Sequence, residues 1–60
     1  MQLTLNPEQA QILHDVLDRY VSEVRGEIAG TENYDMRQGL KAMEQTIKDI
    51  RSMLAAYISA

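Results

Sequence analysis

The chain has no cysteine, no tryptophan and no phenylalanine, and it has one histidine among its 60 residues. Without cysteine it can form neither a disulfide nor a thiolate metal site, and a lone histidine is a poor basis for structural zinc. It also lacks a catalytic cysteine, a Ser-His-Asp order and a glycine-rich phosphate loop. A chain this short, which is predicted below to form two helices, offers no cleft that excludes water. We therefore expect no enzyme, no cofactor and no metal site.

Basic residues are scarce relative to acidic ones, six against nine, which gives a formal net charge of −3 at pH 7. Nucleic-acid affinity depends mainly on basic side chains that displace counterions, so this charge makes a nucleic-acid partner unlikely. No segment reaches the roughly 20 apolar residues of a membrane span, and the start of the chain does not resemble a signal peptide. We therefore expect one domain over residues 1–60, and a bacterial cytoplasmic protein by default.

Two amphipathic helices are predicted, over about residues 7–29 and 34–58. The first has a well-defined start: Asn6 can cap it, Pro7 fits its first position, and Gln9 stands where a capping box places Glu or Gln. No stretch alternates with period two for long enough to form a sheet strand. The predicted fold class is all-α, an antiparallel two-helix hairpin.

The break between the helices is expected at residues 30–33. Gly30 is predicted to end the first helix in the left-handed conformation, and Asn33 to cap the second, with Thr31 as the alternative cap. The short connection favours antiparallel pairing. The leading residues Leu3 and Leu5 are expected to fold over the open end of the hairpin, against the last turns of the second helix.

The apolar residues of both helices recur at alternating steps of three and four, which is the heptad spacing of packed helices. The stripe on each helix spans about 100° of arc, wider than the seam that one partner helix fills. This width predicts a homodimer that forms a four-helix bundle. The predicted core and dimer interface comprises Leu13, Leu17, Tyr20, Val24, Leu40, Met43, Ile47, Ile50, Leu54 and Tyr57.

Three further apolar residues, Ile12, Val16 and Met53, lie off the main stripe on a shared flank. Two interpretations remain open for this flank, the rim of the dimer contact or a docking groove for another protein. Of the two, the rim is favoured.

A cluster of charged and polar residues surrounds the turn: Arg25, Glu27, Thr31, Glu32 and Arg37. One interpretation makes it a recognition surface for a peptide or protein. The other has the two arginines satisfy the terminal carbonyls of the first helix and pair with nearby carboxylates. The structural interpretation is favoured, and recognition remains the alternative.

Residues 20–33, with the sequence YVSEVRGEIAGTEN, and residues 3–8 resemble a family of very short, uncharacterised bacterial proteins of about 60 residues. Gly26 and Tyr34 depart from the family pattern, which usually has a larger apolar residue and a proline there. The resemblance implies a helical hairpin and brings no assigned activity.

The leading functional hypothesis is a non-enzymatic helical interaction module, a homodimeric four-helix bundle that serves as a scaffold or adaptor for another protein. The alternative is a small RNA-binding four-helix-bundle regulator, by analogy with bundle proteins of similar size, and fold analogy alone is a weak argument. A third hypothesis, surface membrane binding by residues 53–58, suffers from the lack of basic residues there beyond Arg51.

Overall fold

The computed structural model describes residues 2–59, which form two α-helices, α1 (Pro7–Gly30) and α2 (Tyr34–Ser59). The helices run antiparallel, as two ion pairs between them show. Asp18 pairs with Arg51, and Arg25, which is later in α1, pairs with Glu44, which is earlier in α2. No strand occurs within the described range. The predicted all-α hairpin is confirmed, with helix bounds within one residue; Met1 and Ala60, the ends of the predicted domain, lie outside the described residues.

The start of α1 is fixed by side-chain caps. The Asn6 side-chain oxygen accepts a hydrogen bond from the Gln9 backbone N–H at 2.8 Å, and the Gln9 side-chain oxygen accepts one from the Asn6 N–H at 3.0 Å. Two N–H groups that the helix itself cannot satisfy are thereby satisfied reciprocally, with Pro7 in the first helical turn. The predicted capping box is confirmed.

The end of α1 differs from the expectation. Gly30 is helical and no described residue has a positive φ, so the predicted left-handed glycine is wrong. Thr31 takes its place as the cap: its N–H donates to the Ile28 carbonyl at 3.3 Å and its hydroxyl donates to the Glu27 carbonyl. Because these contacts satisfy two of the terminal carbonyls, those of Glu27 and Ile28, the helix ends without a left-handed residue.

The start of α2 is capped by Asn33, whose side-chain oxygen accepts a hydrogen bond from the Met36 N–H at 3.0 Å. The Asn33 carbonyl also accepts the first helical bond, from the Arg37 N–H. Asn33 is therefore confirmed as the cap of α2, and the alternative, Thr31, belongs to the end of α1 instead.

Gly26→Ala and Gly30→Ala are both expected to stabilise the protein. Both residues are exposed in α1, and a Cβ added at either meets nothing within 4 Å. We expect about 0.5 to 1 kcal/mol for Gly26→Ala, as for exposed helical glycines, and less for Gly30→Ala, which is the last residue of the helix. Urea denaturation of both variants checks this. Destabilisation by Gly30→Ala would indicate a left-handed residue there after all.

The core of the hairpin is small. Among the described residues only Ala10, Val21, Val24 and Ile47 are buried. The last three form one cluster, against which Leu17, Ile28 and Leu40 pack while partly exposed. A fold with so little buried apolar surface gains little from the hydrophobic effect, since that gain scales with the area removed from water.

Candidate interaction surface

The heptad seam predicted on α2 divides into two lines in the structure. Leu40, Ile47 and Leu54 face α1 and are buried or half-buried, with Ile47 only 8% exposed. The alternate members of the seam lie beside this contact and are exposed by between 37% and 62%. They are spaced seven residues apart: Met36, Met43, Ile50 and Tyr57.

The apolar stripe of α1 also divides into a line that faces α2 and a line beside it. Tyr20, predicted in the core, is 38% exposed, whereas Val21 is 2% exposed and belongs to the central cluster. The line that faces α2 runs through Ala10, Leu17, Val21, Val24 and Ile28. Leu13, Val16 and Tyr20 lie on the adjoining side of the helix, on the same side of the hairpin as the exposed line of α2.

These residues form one surface, which we call the apolar face. On α1 it has a half-buried leucine and two exposed residues, and on α2 it has five exposed large apolar residues. Its members are Leu13, Val16, Tyr20, Met36, Met43, Ile50, Met53 and Tyr57. Exposed apolar residues are normal when scattered singly, whereas a contiguous set indicates a contact surface.

At the open end of the hairpin the apolar face deepens into a groove of about 410 Å³. Leu13, Ile50 and Met53 line it together with the leading segment of the chain. The Tyr57 hydroxyl donates a 2.6 Å hydrogen bond to the Leu5 carbonyl, which fastens this segment to α2. The predicted fold-over is confirmed for Leu5, which is half-buried and hydrogen-bonded to Tyr57, whereas Leu3 lines the groove but stays 69% exposed.

The other side of the hairpin, which we call the polar side, is closed by ion pairs between the helices. Arg51 lies 2.7 Å from Asp18, and Arg25 lies 3.1 Å from Glu44, which also has Lys48 at 3.9 Å. Glu44 and Arg51 stand in the line of α2 that faces α1, where apolar residues would otherwise pack. Exposed pairs of this kind contribute little free energy, and these two bridge the helices at two levels beside the core.

Asp15 is also exposed on α1. Hydrogen bonds from His14 and Gln11 lower the pKa of its carboxyl below the usual value of 3.8. The charged form is therefore favoured, which fits an exposed carboxylate with polar neighbours. Within residues 2–59 no three acidic, histidine or cysteine side chains gather as metal ligands.

The turn cluster makes mainly local contacts. The Arg37 guanidinium donates to the Thr31 carbonyl at 2.9 Å, while its buried Nε has no partner. Thr31 caps α1, as described above, and Arg25 reaches across to Glu44. These contacts agree with a structural role for three of the five residues, and Glu27 and Glu32 are left exposed.

The flank residues Ile12, Val16 and Met53 are all exposed. Met53 lines the groove at the open end, and Val16 lines a shallow depression beside Tyr20. Two of the three thus belong to the apolar face itself, and Ile12 lies outside it. Neither described helix is long and apolar enough to cross a bilayer.

Comparison with protein-family models, curated proteins and solved structures finds no match for this chain. The resemblance of residues 20–33 to a family of short bacterial proteins therefore stays a prediction. Any function proposed for the chain rests on its own surface.

Proposed function

We propose that the protein is a non-enzymatic helical interaction module that pairs with a second copy through the apolar face. The two hairpins together form a four-helix bundle, which serves as a scaffold or adaptor for another protein. The observation that carries this proposal is the exposed line of large apolar residues at seven-residue spacing on α2.

The spacing of this line favours a helical occupant. Met36, Met43, Ile50 and Tyr57 repeat at the period with which one helix contacts another over several turns. A loop or an extended strand would not use a stripe along a whole helix. Each hairpin has two helices with such stripes, so a second copy of the protein is a partner with a matching surface.

The exposed area also fits a second copy. The hairpin exposes 4702 Å² of surface. A compact monomer of its mass, 6.8 kDa, exposes about 3950 Å² by the usual scaling of surface with mass. The surplus of about 750 Å² is close to the roughly 800 Å² that a standard interface covers on each partner. Pairing would reduce the surface exposed by each chain to that of a compact monomer of the same mass.

The charges favour this partner over a nucleic acid. The apolar face has no charged member, and four of the six basic side chains have partners within the described chain. The partnered residues are Arg25, Arg37, Lys48 and Arg51. Phosphate binding would have to compete with these contacts, so the RNA-binding alternative has little support.

The adaptor role would depend on the surface that stays exposed after pairing. The polar side of each hairpin would face solvent, and α1 has five acids against two basic residues between Asn6 and Gly30. A partner that binds this side by charge would therefore be basic. In this arrangement Val16 and Met53 lie inside the copy-to-copy contact, and Ile12 lies at its rim.

Sedimentation equilibrium over a concentration series tests the pairing. We expect twice the chain mass of 6.8 kDa at micromolar concentration, and a thermal midpoint that rises with protein concentration because folding and association are linked. A monomer mass with a midpoint independent of concentration would refute the proposed function.

A further inference from the structure

The apolar face is not uniform along the hairpin. On α1 a single line of side chains continues at steps of three and four through Leu13, Val16, Tyr20, Glu23 and Glu27. Its members are apolar towards the open end and acidic towards the turn. The half of the face near the open end also contains the groove, whereas the half near the turn ends on two exposed carboxylates.

These two carboxylates have no ion-pair partner in the described chain. Neither Glu23 nor Glu27 lies within 4 Å of a basic side chain in residues 2–59, and the turn adds the exposed acids Glu32 and Asp35. Of the basic residues at this end, Arg25 is paired with Glu44 and Arg37 donates to the Thr31 carbonyl, while Lys41 is exposed on α2 and Arg19 lines a shallow depression beside Glu23. The turn end of the apolar face is therefore negatively charged, and the open end is apolar.

We infer that the second copy lies on the apolar face in the reversed orientation, with the turns of the two hairpins at opposite ends of the bundle. This inference rests on the proposed function and specifies its geometry. A parallel arrangement would place Glu23 and Glu27 of both copies against one another at the edge of the interface, four carboxylates beside the two copies of Arg19. Like charges juxtaposed in an interface oppose that arrangement.

Reversal also gives the better apolar overlap. The groove and most of the apolar face lie on the half towards the open end, so the two-fold axis falls near Val16. About fifteen residues separate Val16 from the turn, which places each turn roughly 20 Å beyond the axis at 1.5 Å per residue. Each open end, nine residues from Val16, then reaches the level of residue 25 in the other copy, so Glu27 and the turn project past the overlap into solvent and Glu23 lies opposite an open end whose groove is lined by uncharged residues.

Distance measurement between nitroxide labels tests the orientation. The chain has no cysteine, so a label on Glu32→Cys is unique. Reversed copies should separate the two labels by roughly 40 Å or more, whereas parallel copies would bring them within about two helix diameters, roughly 20 Å. A matched label on Arg19→Cys, an exposed residue on the middle of α1, should give a similar short distance in either arrangement and so reports that the dimer forms.

The outcomes separate the two proposals. A long Glu32 distance with a short Arg19 distance supports reversal. Short distances at both positions overturn reversal and leave the dimer intact, whereas a monomer mass with no measurable distance at either position refutes the proposed function itself.

The double variant Glu23→Gln with Glu27→Gln, labelled at residue 32, tests the part played by the carboxylates. If their repulsion sets the orientation, removing it should let parallel pairs form, and a second, short distance should appear beside the long one. A single long distance in this variant would show that apolar overlap alone, and not the two glutamates, determines the orientation.

Discussion

Ile50→Asp is expected to convert the protein from a dimer into a monomer at micromolar concentration. Ile50 lies in the middle of the apolar face and is 41% exposed in the single hairpin. In the paired form the new carboxylate would lie between two hairpins, where burying a charge without a partner costs several kcal/mol. Sedimentation equilibrium measures the loss of the dimer directly.

Ser52→Asp is the matched control for this substitution. Ser52 is exposed on the back of the same helix, so it receives the same charge outside both the core and the apolar face. It should keep the dimer mass and most of the thermal stability. If Ile50→Asp remains a dimer like Ser52→Asp, the apolar face is not the contact between copies.

Ile47→Asp is expected to abolish helical structure at every protein concentration. Ile47 is 8% exposed and packs with Val21 and Val24 in the central cluster of the hairpin. An unpaired carboxylate there costs several kcal/mol, a large part of the 5 to 15 kcal/mol that typically holds a domain folded. Loss of the helical circular dichroism signal is the measurement. Helicity equal to that of the unmodified chain would contradict the place given to Ile47.

The conservative change Ile47→Val distinguishes loss of packing from loss of the fold. It removes one methylene group and should cost about 0.5 to 1.5 kcal/mol without changing the mass in solution. The variants Ile47→Asp and Ile50→Asp should also respond differently to protein concentration. Raising the protein concentration should recover part of the dimer for Ile50→Asp, whereas Ile47→Asp should stay unfolded.

The helices and their caps followed from local chemistry in the sequence. Asn6, Gln9 and Asn33 cap helices through hydrogen bonds to residues three positions away, so the sequence contains everything needed to predict them. The end of α1 was mispredicted because Gly30 is a common helix terminator, while the next residue competes for the same role. The Thr31 hydroxyl reaches the Glu27 carbonyl and makes the glycine unnecessary.

The rotation of the helices was harder to predict, because each stripe contains more than one heptad line. On α1, Leu13 with Tyr20 and Leu17 with Val21 are both compatible with the spacing, and periodicity cannot choose between them. The choice depends on contacts distant in sequence, the packing of Val21 and Val24 with Ile47 and the Asp18–Arg51 pair across the helices. The sequence does contain opposite charges that lie level with each other on the two helices. They can be recognised as pairs only once it is known which residues of the two helices lie side by side.

The sequence predicts that each helix has more apolar residues than the hairpin can bury, but it does not predict which of them form the apolar face. The sequence indicates stripes wider than one partner helix can cover, and it cannot say which members stay outside. The structure assigns Met43 and Ile50 to the exposed line and Ile47 to the core, three neighbours that heptad spacing treats alike. Which molecule covers the exposed line depends on a second chain, and for that reason it remains a proposal.

The hydrogen bond from Tyr57 to Leu5 joins positions 52 residues apart in the chain. It brings the beginning of the described segment beside its end, at the extremity opposite the turn. A few flexible residues between Ser59 and Gln2 would therefore close the hairpin into a ring, and cutting within residues 31–33 would then open it into a circular permutant with α2 first. The order of the helices along the chain is thus separable from the way they pack.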